Sequence, residues 1–222
     1  MISCDGEEMK HSDAYQLFMK QKDSTDYAIK REGYRDDLLQ CIDPEERKSI
    51  EAIIVSQFEQ KDIDVLKFMD QLTTVDGIAI VENQYGRLSK QVIDMPNLAR
   101  YLYLHTRKHK YLEDIMEYCL DVKRQYREEA MRSINILVPD LEIEDIPKLY
   151  QLSRTIILKE NDSELLFWTK ALMRKCVKRL NIIGDNEQLG QLWRELEKSI
   201  SEGSLEIRRE KLLAFEQKIT NP

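Results

Sequence analysis

Residues 126–157 read YREEAMRSINILVPDLEIEDIPKLYQLSRTII, and this stretch decides the fold. Its first half sets Tyr126, Ala130, Ile134 and Leu137 three or four residues apart, the spacing that lines one face of an α-helix. Pro139 ends that helix, because proline has no N–H to give and its ring crowds the preceding turn. After an acidic turn the pattern returns with Ile146, Leu149, Tyr150, Ser153, Ile156 and Ile157. Two amphipathic helices joined by a short turn cover each other's apolar faces, and so fold back as a pair.

The same rhythm extends in both directions. Asp43-Pro44-Glu45-Glu46 predicts a helix start: an aspartate at the cap, a proline where the missing N–H costs nothing, and glutamates at the positive end of the dipole. Ile50, Ile53, Ile54 and Phe58 follow at helical spacing. Asp62 opens a further helix with Val65, Leu66, Met69 and Leu72 on one face. Thr73 to Asp94 is harder to read: Gly77 to Val81 suits a short helix better than a buried strand, and Gly86 is expected to break it. Pro96 opens a pair whose stripes are Leu98, Tyr101, Leu102 and His105, then Leu112, Ile115, Met116, Cys119 and Val122. Asn161-Asp162-Ser163-Glu164 caps a long helix with Leu165, Thr169, Leu172, Met173, Cys176 and Leu180 inward. Gly184 is expected to end it in a left-handed conformation, and Asp185 with Gln188 to start the next. That helix carries Leu189, Leu192, Trp193, Leu196 and Ile200. After Gly203-Ser204 comes a last one with Leu205, Leu212, Phe215 and Ile219.

The expected organisation is a loose tail over 1–11, a helical-repeat domain over 12–184 and a C-terminal helical hairpin over 185–222. The 222 residues bury a core without disulfides, and seven Gly with five Pro are too few for a many-turned β-fold. Cys4, Cys41, Cys119 and Cys176 are far apart and form no paired metal knuckle, so they read as reduced thiols. The N-terminus has no signal-peptide pattern and no stretch reaches the roughly 20 apolar residues of a membrane span. The expectation is a cytoplasmic protein with no cofactor and no membrane partner.

The quoted stretch 126–152 resembles a HEAT-type repeat. Asp43 to Leu72 is similar in rhythm, and Asn97 to Val122 follows it more loosely, so the resemblance spans about residues 26–182. It implies an all-α fold of stacked antiparallel helix pairs, a short α-solenoid that presents a surface to macromolecular partners. Repeat length varies and 73–94 breaks the register, which keeps an irregular helical bundle as the alternative.

Charge is blocked along the chain. Residues 36–82 hold twelve acidic and four basic side chains, a net of −8 within a total of −7. Residues 167–182 hold Lys170, Arg174, Lys175, Lys178 and Arg179 with no acid. If Asp36, Asp37, Asp64, Asp70, Asp76 and Glu82 share a face, they attract a basic protein partner. The basic helix reads as phosphate-binding or, more simply, as pairing with neighbouring helices and with its own negative end.

Catalytic signatures are missing. His105, His109 and Glu113 stand four apart, but the apolar stripe shifts between them, which predicts a turn and the loss of a shared face. Adjacent carboxylates such as Asp36-Asp37 point about 100° apart on a helix. No phosphate loop, dinucleotide fingerprint or nucleophile elbow occurs. The chain therefore reads as a non-enzymatic protein-binding module. More narrowly, small acidic immunity or antitoxin proteins are similar to it, and such a protein neutralises a basic toxin domain. The alternatives are a structural adaptor, which expects Trp168 and Trp193 at the surface, and a nucleic-acid binder using Arg100, Arg107, Lys108, Lys110, Lys123 and Arg124. The acidic total disfavours nucleic acid.

Overall fold

A computed structural model describes residues 11–24, 34–35, 37–88, 94–121 and 124–220. The expectations for most of the tail and for Asp36, Val122 and Lys123 lie outside these residues. Among the described residues the chain is all-α, without a strand, and its helices pack in sequential pairs. It divides into two compact units, residues 1–89 and 90–222.

In the first unit, α1 (Asp13–Asp23) is capped by Ser12, whose hydroxyl accepts the Tyr15 N–H. Ser12 and His11 also bind Glu46 in the first turn of α3 (Pro44–Glu59), which ties the start of α1 to the start of α3. Between them lies the single turn α2 (Leu38–Cys41). Phe18 stacks on Tyr34, and Tyr34 meets the edge of Phe68, to form an aromatic centre. The expected α-helix from Asp62 is instead a 3-10 helix, Ile63–Gln71. Its buried residues are Val65, Leu66, Phe68 and Met69. A 3-10 helix stacks them in two rows three residues apart, although the same four positions would also fit an α-helical stripe. The ambiguous Gly77 to Val81 segment is helical: α4 is Gly77–Arg87. Gly86 does not break it, because the residue faces open space and costs only propensity, about 1 kcal/mol. Gly77 has a different reason to be glycine. A Cβ there would lie 1.8 Å from the Met69 carbonyl oxygen, so the 3-10 helix passes directly against the start of α4.

Glu51, on α3, holds this unit together. It is 0% exposed. The backbone N–H groups of Thr73 and Thr74 and both threonine hydroxyls donate to it at 2.6–3.0 Å, and Arg47 Nε donates at 2.8 Å. Arg47 also donates to the carbonyls of Leu39 and Gln71. One ion pair thereby ties α2, α3, the end of the 3-10 helix and the connector to α4.

The second unit begins with α5 (Met95–Thr106) and α6 (His109–Cys119), parted by Arg107 in the left-handed region at φ 55°. The quoted stretch forms α7 (Arg124–Leu137) and α8 (Ile146–Ile157), with 3-10 turns Val138–Asp140 and Ile143–Asp145 between them. Every stripe residue predicted for these two helices is buried. Then come α9 (Ser163–Arg179), α10 (Glu187–Glu202) and α11 (Leu205–Thr220). Helices α7 and α8 do not cover each other as expected: α7 packs on α5, α6 and α9, and α8 on α9, because the two 3-10 turns carry the chain past a direct hairpin. Helices α5, α7 and α9 lie side by side in that order; α6 packs on α5 and α7, α8 on α9. The hairpin α10–α11 joins the same unit through α9 and α8. Asp162 caps α9 as predicted, accepting the N–H groups of Glu164 and Leu165. Its other end is closed by Asn181 at φ 50°, before Gly184 is reached. Asn186, not Asp185, caps α10.

Two outcomes follow from the first unit. Burial opposes the charge on Glu51, but the hydrogen bonds of Thr74, Arg47 and Thr73 outweigh it and hold the carboxyl at about 2, against an ordinary 4.5. A depressed folded-state pKa contributes stability that is complete above pH 4.5 and is lost as pH falls towards 2, roughly 3 kcal/mol in all. Acid and urea unfolding should show Glu51→Gln markedly less stable than wild type at pH 7, with the gap closing below about pH 4; equal stability at pH 7 contradicts this account. Gly77→Ala should cost about 1–3 kcal/mol in urea unfolding, whereas Gly86→Ala should be neutral or stabilise by up to about 1 kcal/mol.

Candidate functional site

Of the six acidic residues expected on one face, Asp36 lies outside the described residues and the other five divide among three elements. Asp37 starts α2 and pairs with Arg35 at 2.6 Å, a contact that lowers its carboxyl. Asp76 caps α4 by accepting the Ala79 N–H at 2.9 Å. Glu82 is partly buried further along α4, roughly 240° around the axis from Asp76. Asp64 and Asp70 sit on the 3-10 helix, where positions three apart eclipse. The rows Val65–Phe68 and Leu66–Met69 face inward, which leaves Asp64, Lys67 and Asp70 as the outward ridge. Both aspartates are exposed, and neither has an ion pair among the described residues. Lys67 between them donates to the Tyr34 carbonyl. The wider block is also less free than its count suggests. Glu51 is consumed by the connector, and Glu46 by Ser12 and His11.

The basic block is mostly internal. Arg179 donates to the carbonyls of Val138 at 3.1 Å and of Pro139 and Leu141 at 2.8 Å, so it closes the turn between α7 and α8. Lys175 donates to the Asn135 carbonyl, Arg174 pairs with Glu197, and Lys170 donates to Ser201 Oγ. Lys178 is exposed. The nucleic-acid set disperses too: Arg100 is half-buried and its guanidinium is destabilised by that burial, while Arg107 donates to the Asp140 carbonyl and covers the Tyr103 ring. Lys108 and Lys110 flank the α5–α6 turn, Lys123 lies outside the described residues, and Arg124 starts α7.

The turn predicted inside His105–His109 is present, and the two histidines are on different helices. His105 lies against Tyr101. His109 Nδ1 is 3.3 Å from Asp145, a 1% exposed carboxylate that also takes the Tyr103 hydroxyl at 3.3 Å and Lys148 at 3.1 Å. Burial, then the charge of Asp145, push the Tyr103 hydroxyl up. No cluster of three metal-binding side chains occurs among the described residues. Among them, too, no helix is long and apolar enough to cross a membrane. Cys119 and Cys176 are buried and unreactive, Cys176 being pushed up to about 12 by burial, while Cys41 is exposed. Trp193 is buried against Phe215, and Trp168 is half-buried under Arg132. Phe167 is the exposed aromatic here, at 58%.

Besides Glu51, one further residue escaped the sequence reading. Arg208 is 2% exposed, on α11. It donates to the Glu160 carbonyl at 2.6 Å and to Asn161 Oδ1 at 2.7 Å, while its Nε has no partner. Its signal was positional: it falls between Leu205 and Leu212 in the stripe that Phe215 continues, where an apolar residue is expected. A cleft of about 340 Å³ opens beside it, walled by Leu166, Phe167 and Ile200.

Compared with family models, curated proteins and solved structures, the chain matches none.

Removing a spent charge and a free one should have different costs. Arg179→Ala should lower stability by about 2–3 kcal/mol, because three carbonyls lose a charged donor, and Lys178→Ala should stay within about 0.5 kcal/mol. Urea unfolding of the two variants checks this; equal midpoints contradict the assignment of Arg179 to the turn.

Proposed function

We propose that the chain is a non-catalytic binding protein that engages a basic protein partner through the first unit's acidic ridge. The observation that carries this reading is the row Asp64–Lys67–Asp70. The winding of the 3-10 helix presents both carboxylates on its outward face, unpaired among the described residues, while Glu46, Glu51 and Asp76 are absorbed by structure. Carboxylates held on a rigid element steer a cationic partner and set its register more than they add raw affinity. The side-by-side order α5, α7, α9 supports likeness of form to HEAT-type arrays, which carries no chemistry by itself.

The narrower form of the proposal is an immunity protein that neutralises a basic toxin domain. Its support is the modest size, the net charge of −7 and the unpaired carboxylates. The adaptor reading draws less support, since Trp193 is buried and Trp168 half-buried.

Capture of the protein encoded beside this one, by wild type and by the double variant Asp64→Lys/Asp70→Lys, tests the proposal. The expected result is a complex that weakens as salt rises and loses roughly tenfold or more in affinity on charge reversal, mainly through slower association. A complex indifferent to the reversal removes the ridge from the interface. No complex with that neighbour removes the toxin–immunity form.

A further inference from the structure

The cleft in the second unit has a composition that the acidic ridge does not explain. Its walls are apolar: Leu166 and Phe167 from α9, and Ile200 from α10. Its charged groups are two cations and one acid, beside the neutral Asn161, Ser163 and Ser201. Lys170 has no carboxylate partner among the described residues and donates to Ser201 Oγ at the rim. Arg208 lies at the Asn161 end, held by Asn161 and the Glu160 carbonyl. Glu202 also lines the cleft, so two cations face one acid. The start of α9 adds little, since Asp162 already takes two of its N–H groups.

Two features lack a structural purpose. Burying Arg208 requires a partner for each donor, yet Nε has none. Phe167 holds a large ring 58% exposed over the cleft's apolar side. A ligand with a short apolar body accounts for the exposed ring, and an anionic head complements Lys170 and the buried charge of Arg208, whose Nε is itself sealed from solvent. The head meets the Lys170 ammonium at the rim, over the buried positive charge of Arg208. The body lies on Phe167, Leu166 and Ile200. The volume, about 340 Å³, is at the small end of ligand sites and too small for a nucleotide-sized ligand.

We propose that this cleft binds an organic carboxylate carried on a short apolar body, through Lys170 at the head and Phe167 at the body. The same chemistry has two sources: a free aliphatic acid, or the C-terminal carboxylate of a peptide ending in an apolar residue.

Titration calorimetry of the full chain with octanoate, N-acetyl-leucine and N-acetyl-leucinamide tests it. The expected result is saturable binding of at least one acid, with the amide roughly tenfold or more weaker than N-acetyl-leucine where that acid binds. Preference for octanoate assigns the free-acid source, preference for N-acetyl-leucine the peptide source. Lys170→Met and Phe167→Ala alter exposed or half-exposed side chains and should fold. Each should weaken the bound acid roughly tenfold, while Lys178→Met, a charge lost outside the cleft, should not. No saturation by any probe at millimolar concentration overturns the proposal. So does an amide equal to its acid, or binding unchanged by both cleft variants. Because these residues are remote in sequence from Asp64 and Asp70, loss of the ridge complex and loss of acid binding are separately readable.

Discussion

A connector between two packed helices carries amides and carbonyls that no helix satisfies, and burial removes water as their partner. This chain meets that constraint repeatedly in one way: a charged side chain on a neighbouring helix reaches into the connector. Glu51 takes the N–H groups of Thr73 and Thr74. Arg47 takes the carbonyls of Leu39 and Gln71. Arg179 covers three carbonyls between α7 and α8, and Arg208 covers that of Glu160 between α8 and α9. A formal charge is a stronger partner than a neutral dipole, and long side chains reach over distances that backbone ladders cannot. The helix pairs stack closely because their joints are sealed from outside.

The same device reshapes the electrostatics. Charges that seal joints are unavailable to partners, so a block counted along the sequence overstates the field at the surface. The basic run 170–179 is an extreme case: its residues are largely turned onto carbonyls, Glu197 and Ser201. The acidic run keeps more of its charge outside, because a three-residue winding leaves one row of the 3-10 helix without a burial task.

How far the sequence could be read follows the same division. Stripes at 3.6-residue spacing, such as Ile146 to Ile157, and caps such as Asp162 were legible because they depend on near neighbours. The 3-10 winding at Ile63–Gln71 was not, since Val65, Leu66, Phe68 and Met69 fit both periods. Nor was the helix through Gly86, whose tolerance depends on the open space beside it. Among site residues, Asp64 and Asp70 could be named but not told apart from Asp76, which is committed to a cap. Glu51 and Arg208 were hidden for a common reason. A residue's partner 22 or 47 positions away leaves no local pattern. Arg208 alone gave a trace, as a charge inside an apolar stripe.

The threefold winding of Ile63–Gln71 also restricts how this segment's length can change in evolution. Removing or adding one residue inside it rotates everything beyond by about 120°, so an aspartate enters the core as a phenylalanine leaves it. Changes of three residues keep every row in phase. The close approach of the Met69 carbonyl to Gly77 then decides which such changes fit, because the helix that follows must start at the same place.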